Sequence, residues 1–147
     1  MADATSSFVY VTYIRTTPDR LWEALTTSEF MTKYWFGAHF ETDWKMGSPW
    51  KMTYPDGRIT DAGEIVEFDR PRRIVLKWKH ELRPELSAEG YARCTIELEP
   101  QEGAVKLTIS HTMERADSKL INAVSGGWPK ILSNLKSLLE TGEILLN

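Results

Sequence analysis

The residues of this chain with chemistry to offer are His39, His80, His111, the lone Cys94 and a scatter of carboxylates. The histidines lie far apart in sequence, and a zinc site needs three or four close ligands, so no metal site is expected. Ser110 adjoins His111, but strand alternation sends neighbours to opposite faces, which rules out a nucleophile and base pair. No glycine-rich phosphate loop, nucleotide fingerprint or nucleophile elbow is present, and no cofactor is expected. Cys94 has no partner for an intramolecular disulfide and reads as a small buried residue, which fits a reducing cytoplasm. What remains is acid or base chemistry, or ligand orientation, by a histidine or carboxylate set into apolar surroundings: His80, His111 and Glu64.

The composition supports such surroundings. Six of the 147 residues are tryptophan, a large supply of apolar bulk for one small domain, taken here as residues 1–147 with a frayed start through Ser7. With 18 basic against 21 acidic residues there is no electrostatic footprint for nucleic acid or an anionic membrane surface. No apolar run approaches the roughly 18 residues of a membrane span, and no signal-peptide pattern opens the chain. A cytoplasmic protein without nucleic-acid or membrane partners is the expectation.

The elements that must position these residues follow from pattern and punctuation. Phe8–Arg15 is β-branched and aromatic and reads as a strand. Thr17-Pro18 then caps a short helix, and a second helix is expected over about 28–34. Six further strands are read near 39–43, 49–54, 58–68, 72–80, 91–99 and 104–112, separated by turn signals such as Pro55-Asp56-Gly57. From about Asp117 to Thr141, Leu120, Val124, Trp128, Leu132, Leu135 and Leu139 recur at helical spacing, with Gly142 as the stop. Gly126-Gly127 and Pro129 predict a kink or restart near residue 128. This is an α+β order in which the last helix buries its stripe on an antiparallel sheet.

Four stretches carry a family resemblance: Pro18 with WEALT (Trp22–Thr26), KYWFG (Lys33–Gly37), GEIVEFDRPRRIVLKW (Gly63–Trp78) and GWPKILSNLKSLLETG (Gly127–Gly142). In this order they resemble bacterial relatives of the C-terminal domain of the heat-shock protein 90 ATPase activator, in the START and Bet v-like helix-grip superfamily (SRPBCC). The resemblance implies a curved antiparallel sheet of about seven strands wrapped around the long C-terminal helix, with two short helices after the first strand and a cavity between sheet and helix. It implies no single activity, because the superfamily holds ligand carriers, cyclases, hydrolases and co-chaperone domains. The eukaryotic activator has an additional N-terminal domain that contributes to binding its chaperone; with the first strand read so close to Met1, none is expected here.

Hairpin geometry assigns an inner face. Pairing Tyr54 with Arg58 sets Trp50 opposite Ala62; pairing Phe68 with Ile74 sets Glu64 opposite Trp78 and Ala62 opposite His80. Placing Glu99 opposite Ala104 puts Ala92 beside His111 and Cys94 beside Ile109. One row then reads Trp50, Ala62, His80, Ala92, His111, with the two histidines roughly 10 Å apart. The alanines would recede and leave a hollow walled by Trp50, Trp78, Leu120, Val124 and Trp128, with Trp35, Phe36 and Phe40 as a lid. Trp35, Trp50, Ala62, Glu64, Trp78, His80, Ala92, His111, Val124 and Trp128 are the expected cavity residues, and none is assigned a catalytic role. Binding or sensing of a small apolar or aromatic molecule is the leading expectation. A co-chaperone-like module with a protein partner, and an enzyme acting by general acid/base chemistry on an aromatic or polyketide-like substrate, are the alternatives.

Overall fold

The computed structural model describes residues 5–147. The alternating run at the start forms β1 (Ser6–Ile14), so Ser6 and Ser7 lie in a strand rather than a frayed end, while residues 1–4 lie outside the described residues. Two short helices follow, α1 (Pro18–Thr26) and α2 (Ser28–Tyr34). Thr17 caps α1 by accepting from the Arg20 amide at 3.2 Å, and Pro18 occupies the first turn, where its missing N–H costs nothing.

Next come β2 (His39–Thr42), β3 (Pro49–Thr53), β4 (Ile59–Asp69) and β5 (Arg73–His80), then a single helical turn α3 (Pro84–Ser87) inside what the sequence presents as a loop. β6 (Ala92–Gln101), β7 (Ala104–Met113) and the long α4 (Lys119–Thr141) complete the chain. All neighbours pair antiparallel in one curved seven-stranded sheet of order β1-β7-β6-β5-β4-β3-β2. The sequence resembles the helix-grip architecture, and this is it: the sheet closes on α4.

α4 is one helix. Of the kink or restart expected near residue 128, the restart is absent: Trp128 on one side of Pro129 and Leu132 and Leu135 on the other are all buried in the core and hold the helix to the sheet. Its start is tied down by Ser118, which accepts from the Ile121 amide, and by Glu89, whose carboxylate accepts from Ser118 Oγ at 2.6 Å and the Lys119 amide at 2.7 Å. These donors hold the Glu89 carboxyl below its ordinary range even though its burial works in the opposite sense. Gly142 ends the helix with φ 87°, a left-handed conformation that glycine adopts without a Cβ clash.

The space under α4 has two ends. Toward its C-terminal half the core is filled by Ile74, Ile96, Leu107, Ile109, Leu132 and Leu135. Toward its N-terminal half the sheet presents rings and polar groups.

Candidate functional site

The site is shaped by two irregularities in β4. The Pro55-Asp56-Gly57 turn closes as the sequence predicts, with Tyr54 N–H donating to Arg58 O at 3.0 Å. One residue later the register shifts, so that Thr53 faces Ile59 but Met52 faces Asp61. A second shift separates Ile65, opposite Leu76, from Glu67, opposite Val75. Each bulge inserts one residue, and one residue inverts the face of every side chain beyond it. Between the bulges the inward residues are therefore Asp61, Gly63 and Ile65 rather than Ala62, Glu64 and Val66.

This corrects several expectations. Trp50 faces Gly63, not Ala62; Ala62 faces Lys79 on the outer side; and Glu64 is exposed and faces Lys77, not Trp78. Gly63 takes the receding role assigned to Ala62, but no hollow results, because the Trp50 indole occupies the space. Trp50 reaches over Gly63 to donate to Lys77 O at 3.0 Å, and a Cβ at Gly63 would lie 1.8 Å from that same carbonyl oxygen. Trp50 also stacks on Phe40 at 4.6 Å, so it is packed behind the site rather than on its wall.

The β6–β7 turn is two residues tighter than expected, with Gln101 facing Ala104. A shift of two preserves faces, so His111 stays inward but lies beside Cys94, and Ala92 faces Trp78. Ala92 packs with Met113, Leu120 and Ile121 under the start of α4. The expected lid is also different: Trp35 and Phe40 are buried wall and support residues, whereas Phe36 turns outward.

The cavity that does form has a volume of about 260 Å³ and lies between β3, β4, β5, α3 and α4. Of the expected residues it brings together Trp35, Trp78, His80, Val124 and Trp128; Trp50, Ala62, Glu64, Ala92 and His111 do not line it. Trp128 meets Trp35 edge-on at 5.2 Å and Trp78 at 5.8 Å, which makes a continuous aromatic wall. Leu82 and Arg83, both exposed, border it on the α3 side.

Asp61 is the polar centre of the cavity, and its side chain is only 9% exposed. Its Oδ2 accepts from Trp78 Nε1 at 2.6 Å and lies 3.3 Å from His80 Nδ1. A carboxylate only accepts, so His80 carries its hydrogen on Nδ1 in this contact. His80 Nε2 is buried without a partner.

His111 is built differently. Its Nδ1 accepts from Trp128 Nε1 at 3.2 Å, which places the proton of the neutral ring on Nε2, where the described residues offer no acceptor. Burial pushes its pKa down to about 4, with the Asp61 charge pulling weakly the other way. Cys94, beside it, is also fully buried, and burial raises its thiol well above the ordinary range, so it is no nucleophile.

With sheet, helix and cavity in place, comparison with known proteins is informative. The sequence model of the family described as Activator of Hsp90 ATPase homolog 1-like protein matches residues 15–140. The chain belongs to this family. Solved structures similar to this Activator of Hsp90 ATPase homolog 1-like chain include MLL2253 from Mesorhizobium loti, with a TM-score of 0.79 and 18% identity over 95% of this chain and 100% of that one. The Aha1 dimer from Colwellia psychrerythraea follows the same fold, with a TM-score of 0.75 and 17% identity over 93% and 98%. PFC0360w, an HSP90 activator from Plasmodium falciparum, is 25% identical over 91% of this chain and 96% of its own, with a TM-score of 0.73. No curated protein matches.

Sequence reasoning missed Asp61, Tyr54, Leu82 and Leu86 in the cavity. Gly63 inside a strand pattern was the available sign of a bulge, and Pro84-Glu85 that of the small helix carrying Leu86.

Proposed function

We propose that this Activator of Hsp90 ATPase homolog 1-like domain holds a small, largely apolar molecule in the cavity between β3–β5 and α4. The observation that supports this reading is the aromatic wall of Trp35, Trp78 and Trp128 around one buried polar centre. A mostly apolar hollow with few convergent polar groups is the usual form of a ligand site. Its volume of about 260 Å³ lies just under the usual range and suits one or two rings.

Native mass spectrometry of freshly purified protein tests the proposal. A retained small molecule, lost in Val124→Trp, whose indole fills the cavity, is the expected result. No retained species, together with no binding from an unbiased ligand library, would sink it.

A second reading, association with a protein partner, is favoured by the family description and by the exposed outward side chains Val9, Val11 and Tyr13 on the edge strand β1. Heat-shock protein 90 is the partner to assay. Stimulation of its ATPase by this chain, lost in Val9→Lys/Val11→Lys, supports it, and no stimulation removes it. No helix among the described residues is long and apolar enough to cross a membrane.

A further inference from the structure

Asp61 raises a question that an apolar ligand does not answer. Both of the hydrogen bonds its carboxylate accepts go to Oδ2, from Trp78 and His80, while Oδ1 accepts none from the described residues. Oδ1 is not sealed off in the way His80 Nε2 is, and Asp61 lines the cavity, so this oxygen is offered to the cavity. A neutral apolar molecule seated there would strip water from a charged oxygen and return nothing, which is costly for a carboxylate whose side chain is only 9% exposed. A second carboxylate would add repulsion. Arg83, the one lysine or arginine on the wall, is held toward Glu85 at 3.3 Å.

We infer that the cavity selects a protonated amine carried on a small apolar or aromatic body, with Asp61 Oδ1 as its counter-charge. The ammonium replaces the lost water with a charge-assisted hydrogen bond. The indoles of Trp35, Trp78 and Trp128 supply π-surface on the walls of the same cavity, Trp78 directly beside Asp61, the environment in which organic cations are favoured over neutral groups of equal size. Size agrees: a dry apolar cavity of about 150 Å³ takes benzene, so about 260 Å³ leaves room for one ring and a short aminoalkyl chain. The inference rests on the ligand-site reading above and adds the charge and class of the ligand.

Three probes of similar shape test it by calorimetry and by tryptophan fluorescence: phenethylamine, ethylbenzene and 3-phenylpropionate. The expected order is phenethylamine tightest, by roughly tenfold or more over ethylbenzene, with 3-phenylpropionate weakest. Asp61→Asn retains an acceptor for Trp78 Nε1 and removes the charge, so the expected result is that phenethylamine weakens and loses its advantage over ethylbenzene, while ethylbenzene binds no more weakly than to the native protein. If Asp61→Asn fails to fold, the ranking on the native protein decides, with a salt-dependent preference for the amine expected. Ethylbenzene equal to phenethylamine, or 3-phenylpropionate tightest, overturns the inference and leaves the ligand site standing. If none of the three binds and native mass spectrometry also shows nothing retained, the ligand-site reading fails and the inference fails with it.

Discussion

Two histidines project from the same face of the sheet, and in both Nε2 is buried without a partner. At His111 the other nitrogen accepts from an indole N–H, the ring is fully buried, and the site is closed by Trp78 and Trp128. At His80 the other nitrogen faces a carboxylate, the side chain is 17% exposed, and a cavity lies alongside. The contrast teaches that the partner on Nδ1 separates a histidine sealed into the core from one that borders the cavity beside a carboxylate. An indole donor fixes the ring as neutral and inert; a carboxylate acceptor fixes the proton on Nδ1 and gives the ring a charged neighbour.

The His111 side should be the more sensitive. Trp128→Ala removes an indole that touches Trp35, Trp78 and His111, and strands the His111 Nδ1 acceptor. A loss of about 3–5 kcal/mol in urea unfolding is expected. A loss under about 1 kcal/mol would show that the aromatic wall is not a packing unit.

The next largest effect is in pH. The unfolded His111 titrates near 6.5 and the folded one near 4, so in that window the unfolded state binds more protons. The sign is therefore that His111's contribution is fully present above pH 6.5 and is lost as pH falls toward 4. The expected loss is about 3 kcal/mol. His111→Phe flattens this part of the stability profile, while His80→Phe leaves it in place. An unchanged profile in His111→Phe would mean that another group carries it.

Much of the fold was legible. The run in β1, the capped start of α1, the Pro55-Asp56-Gly57 turn and the periodic stripe of α4 are local signals, and each produced its element. The family match and the seven-stranded sheet agree with the resemblance read from four segments. The site was half legible, for a physical reason: strand alternation propagates error. Two register shifts in β4 flank Gly63, where Trp50 crosses to reach Lys77; Gly63 signals a bulge in the sequence but gives neither the number of shifts nor their positions. Glu64 and Ala62 were lost and Asp61 was hidden in the same stroke. The shifts outside β4 were by two and left Trp78, His80 and His111 on the inner face.

Gly63→Ala tests whether that crossing sets the register. The new methyl would lie 1.8 Å from Lys77 O and 2.9 Å from Trp50 Nε1, and the first contact is with backbone, which cannot swing aside. A cost of roughly 1–3 kcal/mol is expected, together with a shift in the Trp50 indole N–H resonance as its bond to Lys77 breaks. An unchanged resonance would place the cause of the inverted face elsewhere in β4.

His80→Phe should have the smallest effect on stability, because two terms oppose each other. The variant loses a hydrogen bond of 3.3 Å to Asp61, and it also removes an Nε2 that is buried without a partner. Each is worth about 1 kcal/mol, the phenyl ring fills similar space, and Asp61 Oδ2 keeps its shorter bond from Trp78 at 2.6 Å. The expected net change is under about 1 kcal/mol, several-fold below that of Trp128→Ala. A cost as large as that of Trp128→Ala would mean that the Asp61–His80 contact is structural after all. In that case His80 is held as firmly as His111, and the distinction between the two histidines is one of degree.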